Sequence, residues 1–135
     1  MSEVMSREVA EQELQRIIDF WEVDPEGENW QTSKKRLLFA IQKGRIMLDE
    51  EKGVVRLQLL KPIESEKSSN GSIEELEFKE PNGEDLKVMD KYKESETMAR
   101  TLHLASKLCN QPLGIINRMA SRDVSTMGAL AALFF

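Results

Sequence analysis

The run Ile73-Glu74-Glu75-Leu76-Glu77-Phe78-Lys79-Glu80-Pro81-Asn82-Gly83-Glu84-Asp85-Leu86 changes its period halfway along. Leu76 and Phe78 stand two apart, the spacing that puts side chains on one face of a strand, although Ile73 breaks strict alternation. Pro81 then halts any ladder because it has no amide to donate. Asn82 follows with a short side chain able to cap a helix, and Glu84 and Asp85 suit the positive end of that helix's dipole. A strand, a turn and a helix start therefore meet in one short stretch, and that makes the chain α+β. Whether the strand joins a sheet or makes only a local contact is left open by its own residues.

Downstream, the pattern is helical. Leu86 and Met89 give the first helix an apolar edge, and a longer helix over 96–109 lines up Met98, Leu102, Ala105 and Cys109. Asn110-Gln111-Pro112 breaks it, and proline suits the first turn of a short helix holding Leu113, Ile116 and Met119. Ser121 or Asp123 then caps a last helix that runs through Val124, Met127, Leu130, Leu133 and Phe134.

Upstream, Glu64-Ser65-Glu66-Lys67-Ser68-Ser69-Asn70-Gly71 holds no apolar residue. Such a segment buries too little to offset its ordering entropy, so it reads as a linker over 64–71 between units at 1–63 and 72–135. In the first unit, Ala10, Leu14, Ile17, Ile18 and Trp21 form an amphipathic stripe behind a Ser6 cap, ending at Asp24-Pro25. A second helix over 34–43, starting at Thr32 or Ser33, closes on Gly44. Arg45-Ile46-Met47-Leu48 and the segment bearing Val55, Leu57 and Leu59 on one face make a β-hairpin that Pro62 is expected to end. The expected architecture is N-terminal helices with a β-hairpin, followed by a mostly helical C-terminal half.

A net charge of −5 argues against nucleic acid, which needs a clustered positive field. The single cysteine, Cys109, makes no internal disulfide and no thiolate metal site, which fits a reducing cytoplasm. No apolar run reaches membrane-spanning length, and the first residues carry no signal-like segment. Chemistry is equally thin. His103 is the only histidine and has no carboxylate at i±4 to orient its ring. The carboxylates lack a calcium-loop pattern, and no phosphate-cradling glycine loop occurs. The expectation is no catalytic residue, no cofactor, no metal and no enzyme.

What remains is apolar helix surface. Seven methionines, with Met89, Met98, Met119 and Met127 in the second half, suit adaptable grooves as well as they suit a small core. The terminal run 129–135 either docks on its own core or offers itself to another chain. The candidate partner-binding residues are Leu86, Met89, Leu102, Met119, Met127, Leu130, Leu133 and Phe134. That assignment requires the apolar face to stay available, and a structure that seals Met119, Met127, Leu130 and Phe134 inside removes its basis.

The stretch from Ile73 to Leu86, with Leu108, Pro112-Leu113, Ile116, Met119, Asp123-Val124 and the terminal Ala-Leu-Phe-Phe, resembles the phage tail assembly chaperones of the E/41/14 type. The resemblance covers about the second half of the chain. It implies a small, mostly helical protein of the host cytoplasm that binds the tape measure protein, helps tail tube subunits polymerise around it, and is absent from the finished particle of a phage, prophage or contractile injection system. Self-association is compatible with it. Residues 1–63 exceed the short leader usual in such proteins, which makes a recruited second partner one reading of that segment. The alternative of another class is a structural subunit or adaptor retained in the assembled particle.

Overall fold

The computed structural model describes residues 5–28, 30–66 and 71–134. The element order is α1 (Arg7–Trp21), α2 (Trp30–Gln42), β1 (Ile46–Asp49), β2 (Val54–Glu64), β3 (Ser72–Lys79), α3 (Gly83–Leu86), a 3-10 turn (Lys87–Lys91), α4 (Thr97–Leu108), α5 (Leu113–Ile116), α6 (Ser121–Ala131) and a closing 3-10 turn (Ala132–Phe134). This is the α+β arrangement expected from the sequence.

Local signals set most of the boundaries. The Ser6 hydroxyl accepts the Val9 amide at 3.2 Å and starts α1. α2 ends on Gly44, whose φ of 74° is the left-handed conformation glycine adopts without a Cβ clash. Its amide and that of Arg45 return to the carbonyls of Ile41 and Ala40, closing the helix end. α2 begins at Trp30, ahead of the expected Thr32 or Ser33.

The sheet is antiparallel in the order β1-β2-β3. Ile46 pairs with Leu57, Leu57 with Leu76, and Val55 with Phe78, so these residues share the inner face and all are buried. On the outer face Met47, Arg56 and Glu77 stand in one row. That face is polar, with Arg56 paired to Asp49 and Lys52 lying 3.8 Å from Glu77.

One expectation needs correction. Pro62 does not end β2, which continues to Glu64. The β2–β3 register shifts between Gln58 and Ile63, and this irregularity houses the proline where no ladder amide is required. The described residues of the polar stretch 64–71 run from the end of β2 toward β3. Glu64 pairs with Ser72, and the Ser65 amide donates to the Gly71 carbonyl at 3.0 Å, so this stretch connects two neighbouring strands. Residues 67–70 of that stretch lie outside the described residues.

The helices pack on the inner sheet face. α2 lies along both α1 and α6, α6 also meets β2 and α4, and α4 meets β3. One hydrophobic cluster runs from Ala10 through Leu37, Leu57 and Leu76 to Leu104, Met127 and Leu133. Both parts of the chain thus bury their apolar faces in a common interior.

Candidate partner-binding surface

α6 carries Met127, Ala129, Leu130 and Ala131, with Leu133 just beyond, all buried. Apolar side chains at nearly successive positions point in every direction around a helix, and such a helix belongs inside. Met127 is 1% exposed and Leu130 3%, and Met119 is buried beside them. Phe134 is half-buried, its ring centroid 5.1 Å from that of Trp21. The expected open face at Met119, Met127, Leu130, Leu133 and Phe134 is therefore closed by the chain's own core.

The first turn of α6 is anchored by a carboxylate. Asp123 is fully buried and accepts the amides of Leu60 at 2.9 Å and Lys61 at 3.1 Å, the backbone donors freed by the β2 irregularity. Arg45 Nη1 lies 4.0 Å from the same carboxylate. Asp123 is thus spent on β2 rather than on the helix cap expected of it; the capping position is Ala120, with no side-chain bond.

Leu86, Met89 and Leu102 are placed differently. Asn82 and Asp85 form a reciprocal capping box that fixes the start of α3, and Lys79 Nζ at 3.2 Å ties Asp85 to the end of β3. Beyond the 3-10 turn, the Tyr92 hydroxyl and His103 Nδ1 stand 2.9 Å apart, pinning that segment to α4. Val88 turns inward and is buried, while Leu86 is left 38% exposed. Met89 and Leu102 are half-buried against the core. Met98, in the first turn of α4, is 59% exposed. α3 and α4 are neighbours, so this pinned corner carries the apolar edge that the helical half leaves open.

Little here suits bond-making chemistry. Burial lowers the His103 pKa, helped by the positive charges of Lys91 and Lys107. The Cys109 thiol is buried and pushed up to about 12 by desolvation, which keeps it protonated. Among the described residues, no group of three or more His, Cys, Asp or Glu side chains is arranged to hold a metal, and no helix is long and apolar enough to cross a membrane.

The chain matches the family described as phage tail assembly chaperone proteins, E, or 41 or 14, over residues 56–135. It belongs to that family.

The match begins inside β2 and takes in β3, α3, α4, α5 and α6. The resemblance read from Ile73 onward therefore holds and reaches further upstream, into the strand that pairs with β3. A tail assembly chaperone acts on other tail proteins and is not an enzyme class. No curated protein and no solved structure matches the chain. Met98 lies on the α4 stripe but is not among the residues expected to bind a partner. Its place in the first turn, before the helix reaches the core, was the signal that it would be exposed.

Proposed function

We propose that this chaperone keeps a tape measure protein soluble during tail assembly in the host cytoplasm, through the apolar edge of Leu86, Met89, Met98 and Leu102. The observation that carries the reading is the exposure of Leu86 and Met98 in the helical half of the family-matched part, where Met127, Leu130 and Leu133 are buried. Methionine and leucine on a pinned corner suit varied helical partners, since an unbranched thioether adapts to irregular grooves. Surrounding Glu84, Lys87, Glu94 and Glu96 keep the edge soluble while it waits. Tail tube subunits are the second partner in this reading.

Co-expression tests it. The tape measure protein of the same phage becomes more soluble with the chain present, and Leu86→Glu with Met98→Glu abolishes most of that gain while leaving thermal unfolding of the chaperone unchanged. Equal solubility with the wild type and the double variant would count against this edge. Mass spectrometry of purified particles separates the alternative: a chaperone is missing from them, whereas a retained subunit is found in stoichiometric amount.

A further inference from the structure

Residues 30–48 hold five cations, Lys34, Lys35, Arg36, Lys43 and Arg45, and no carboxylate, in a chain whose net charge is −5. On α2 the buried residues include Leu37, Leu38, Ala40 and Ile41, while Lys35, Arg36 and Phe39 are exposed. Lys35, Phe39 and Lys43 stand four residues apart, with Arg36 beside them, so helix periodicity puts all four on one side. Phe39 is 53% exposed, and the Lys43 ammonium lies 5.3 Å from its ring centroid. The outer side of α2 is an apolar ring framed by positive charge.

The positive charge continues past the helix end. The Arg45 side chain is 10% exposed, and its buried Nη1 has no hydrogen-bond partner. Asp123 stands 4.0 Å away, too far for a hydrogen bond, and its two oxygens already accept the amides of Leu60 and Lys61. Arg36 and Arg122 lie close enough that their charges disfavour the Arg45 cation, and Arg122 is exposed in the first turn of α6. Among the described residues, Lys35, Arg36 and Arg122 make no ion pair. An unmet donor on a buried cation, flanked by two more cations, marks a place short of negative charge.

We infer that this face docks a short acidic segment of a protein partner, with a carboxylate between Arg36 and Arg122 beside Arg45 and an apolar residue against Phe39. A guanidinium presents a planar fork of donors that a carboxylate meets with two oxygens. Such a group supplies the negative charge that Asp123 alone does not. A nucleic acid is the poorer fit. A long polyanion extends beyond the face onto a chain whose remaining charge is strongly negative, whereas a short segment stays within it. The face lies on α2 and the start of α6, elements other than those that carry Leu86 and Met98. It is a second contact of the chaperone and does not depend on the client proposed for that edge.

Fluorescence anisotropy on the full chain tests it, with a fluorescein-labelled peptide of glutamates and aspartates punctuated by leucines. That peptide is expected to bind about tenfold tighter than its glutamine and asparagine counterpart. Arg36→Glu with Arg122→Glu, both at exposed positions, is expected to weaken binding about tenfold, and Phe39→Ser about threefold. Lys87→Glu with Lys93→Glu makes the same change of net charge at exposed positions elsewhere and is expected to leave the affinity within about twofold. Equal weakening by the two pairs overturns the site, as does tighter binding of a single-stranded oligonucleotide than of the peptide. Salt-sensitive self-association of the unaltered chain, abolished by Arg36→Glu with Arg122→Glu, assigns the face to a second copy and overturns the partner segment. The side-chain Nε NMR signal of Arg45 in the unaltered chain is expected to shift as the peptide is added. A bound peptide that leaves this signal in place overturns the site. That measurement needs no substitution, so it decides the matter even where a variant fails to fold.

Discussion

The carboxylate of Asp123 stands 4.0 Å from the guanidinium of Arg45, with Asp123 fully buried and Arg45 nearly so. A buried carboxylate is tolerable only when it is hydrogen-bonded and its charge is balanced; here two β2 amides donate to it and the Arg45 cation balances the charge without a hydrogen bond. Desolvation lowers the Arg45 pKa, the Asp123 charge opposes that shift, and Arg122 and Arg36 add to it. Asp123→Ala strands two β2 amides and a buried cation together. The expected cost is about 3–5 kcal/mol in urea-monitored unfolding. Asp123→Ala with Arg45→Met is expected to recover part of it, and a loss under about 1 kcal/mol for the single variant would show that the carboxylate is not the tie between α6 and β2.

His103 gives the chain a dependence on pH with a definite sign. Burial first, then Lys91 and Lys107, lowers its pKa in the folded state, so the unfolded chain binds more protons as the imidazole titrates. Its contribution to stability is complete above the unfolded value near 6.5 and is lost as pH falls toward the lower folded value. Nδ1 stands 2.9 Å from the Tyr92 hydroxyl, and in the protonated ring it can only donate there. The urea midpoint is expected to drop between about pH 7.5 and about pH 5 by more in the wild type than in His103→Gln. Identical drops in the two proteins would dismiss this imidazole as the source.

Cys109 is expected to be inert until the fold opens. Its thiol is buried and pushed up to about 12, so almost none is thiolate near neutrality. A disulfide-exchange reagent should label it fast in urea and slower by orders of magnitude in buffer. Rapid labelling of the native chain would mean that the end of α4 opens readily.

The parts of this fold that were legible from sequence are those whose signals lie within a turn of one another. Ser6, Asn82 with Asp85, and Gly44 each act on backbone groups a few residues away, and each acts as its type suggests. Apolar spacing gave the inner face of β2 through Val55, Leu57 and Leu59. Asp123 was misread because its acceptors' partners are remote: 63 positions separate it from Leu60. Pro62 was misread because the missing amide is a local fact, whereas the irregularity that absorbs it depends on β3. The terminal run 129–135 reads equally well as core or as partner surface. The apolar residues of α6 encircle the later turns of the helix, a pattern that fits the burial of Met127, Ala129, Leu130 and Ala131.

The capping box at α3 offers a milder test. Asn82 Oδ1 accepts the Asp85 amide at 2.9 Å, and Asp85 accepts the Asn82 amide at 3.0 Å. Asn82→Ala removes half of that exchange and is expected to cost about 1 kcal/mol. Because the same corner presents Leu86, the variant should also weaken tape measure solubilisation more than its stability loss would suggest. A variant that loses stability but solubilises the client normally would detach the cap from the binding edge.

Leu130 and Leu86 are the same residue type in opposite environments, and comparing them tests the division between core and edge directly. Leu130 is 3% exposed and Leu86 38% exposed. Truncating a buried leucine removes its transfer energy and leaves a cavity, so Leu130→Ala is expected to cost about 2–5 kcal/mol. Leu86→Ala removes side-chain area that is already partly wet and should cost about 0.5 kcal/mol or less. The functional readout should run the other way, with Leu86→Ala reducing tape measure solubilisation per folded molecule. If α6 were an open binding face in the resting chain, Leu130→Ala would leave unfolding nearly unchanged. A small cost there would therefore overturn the closed core.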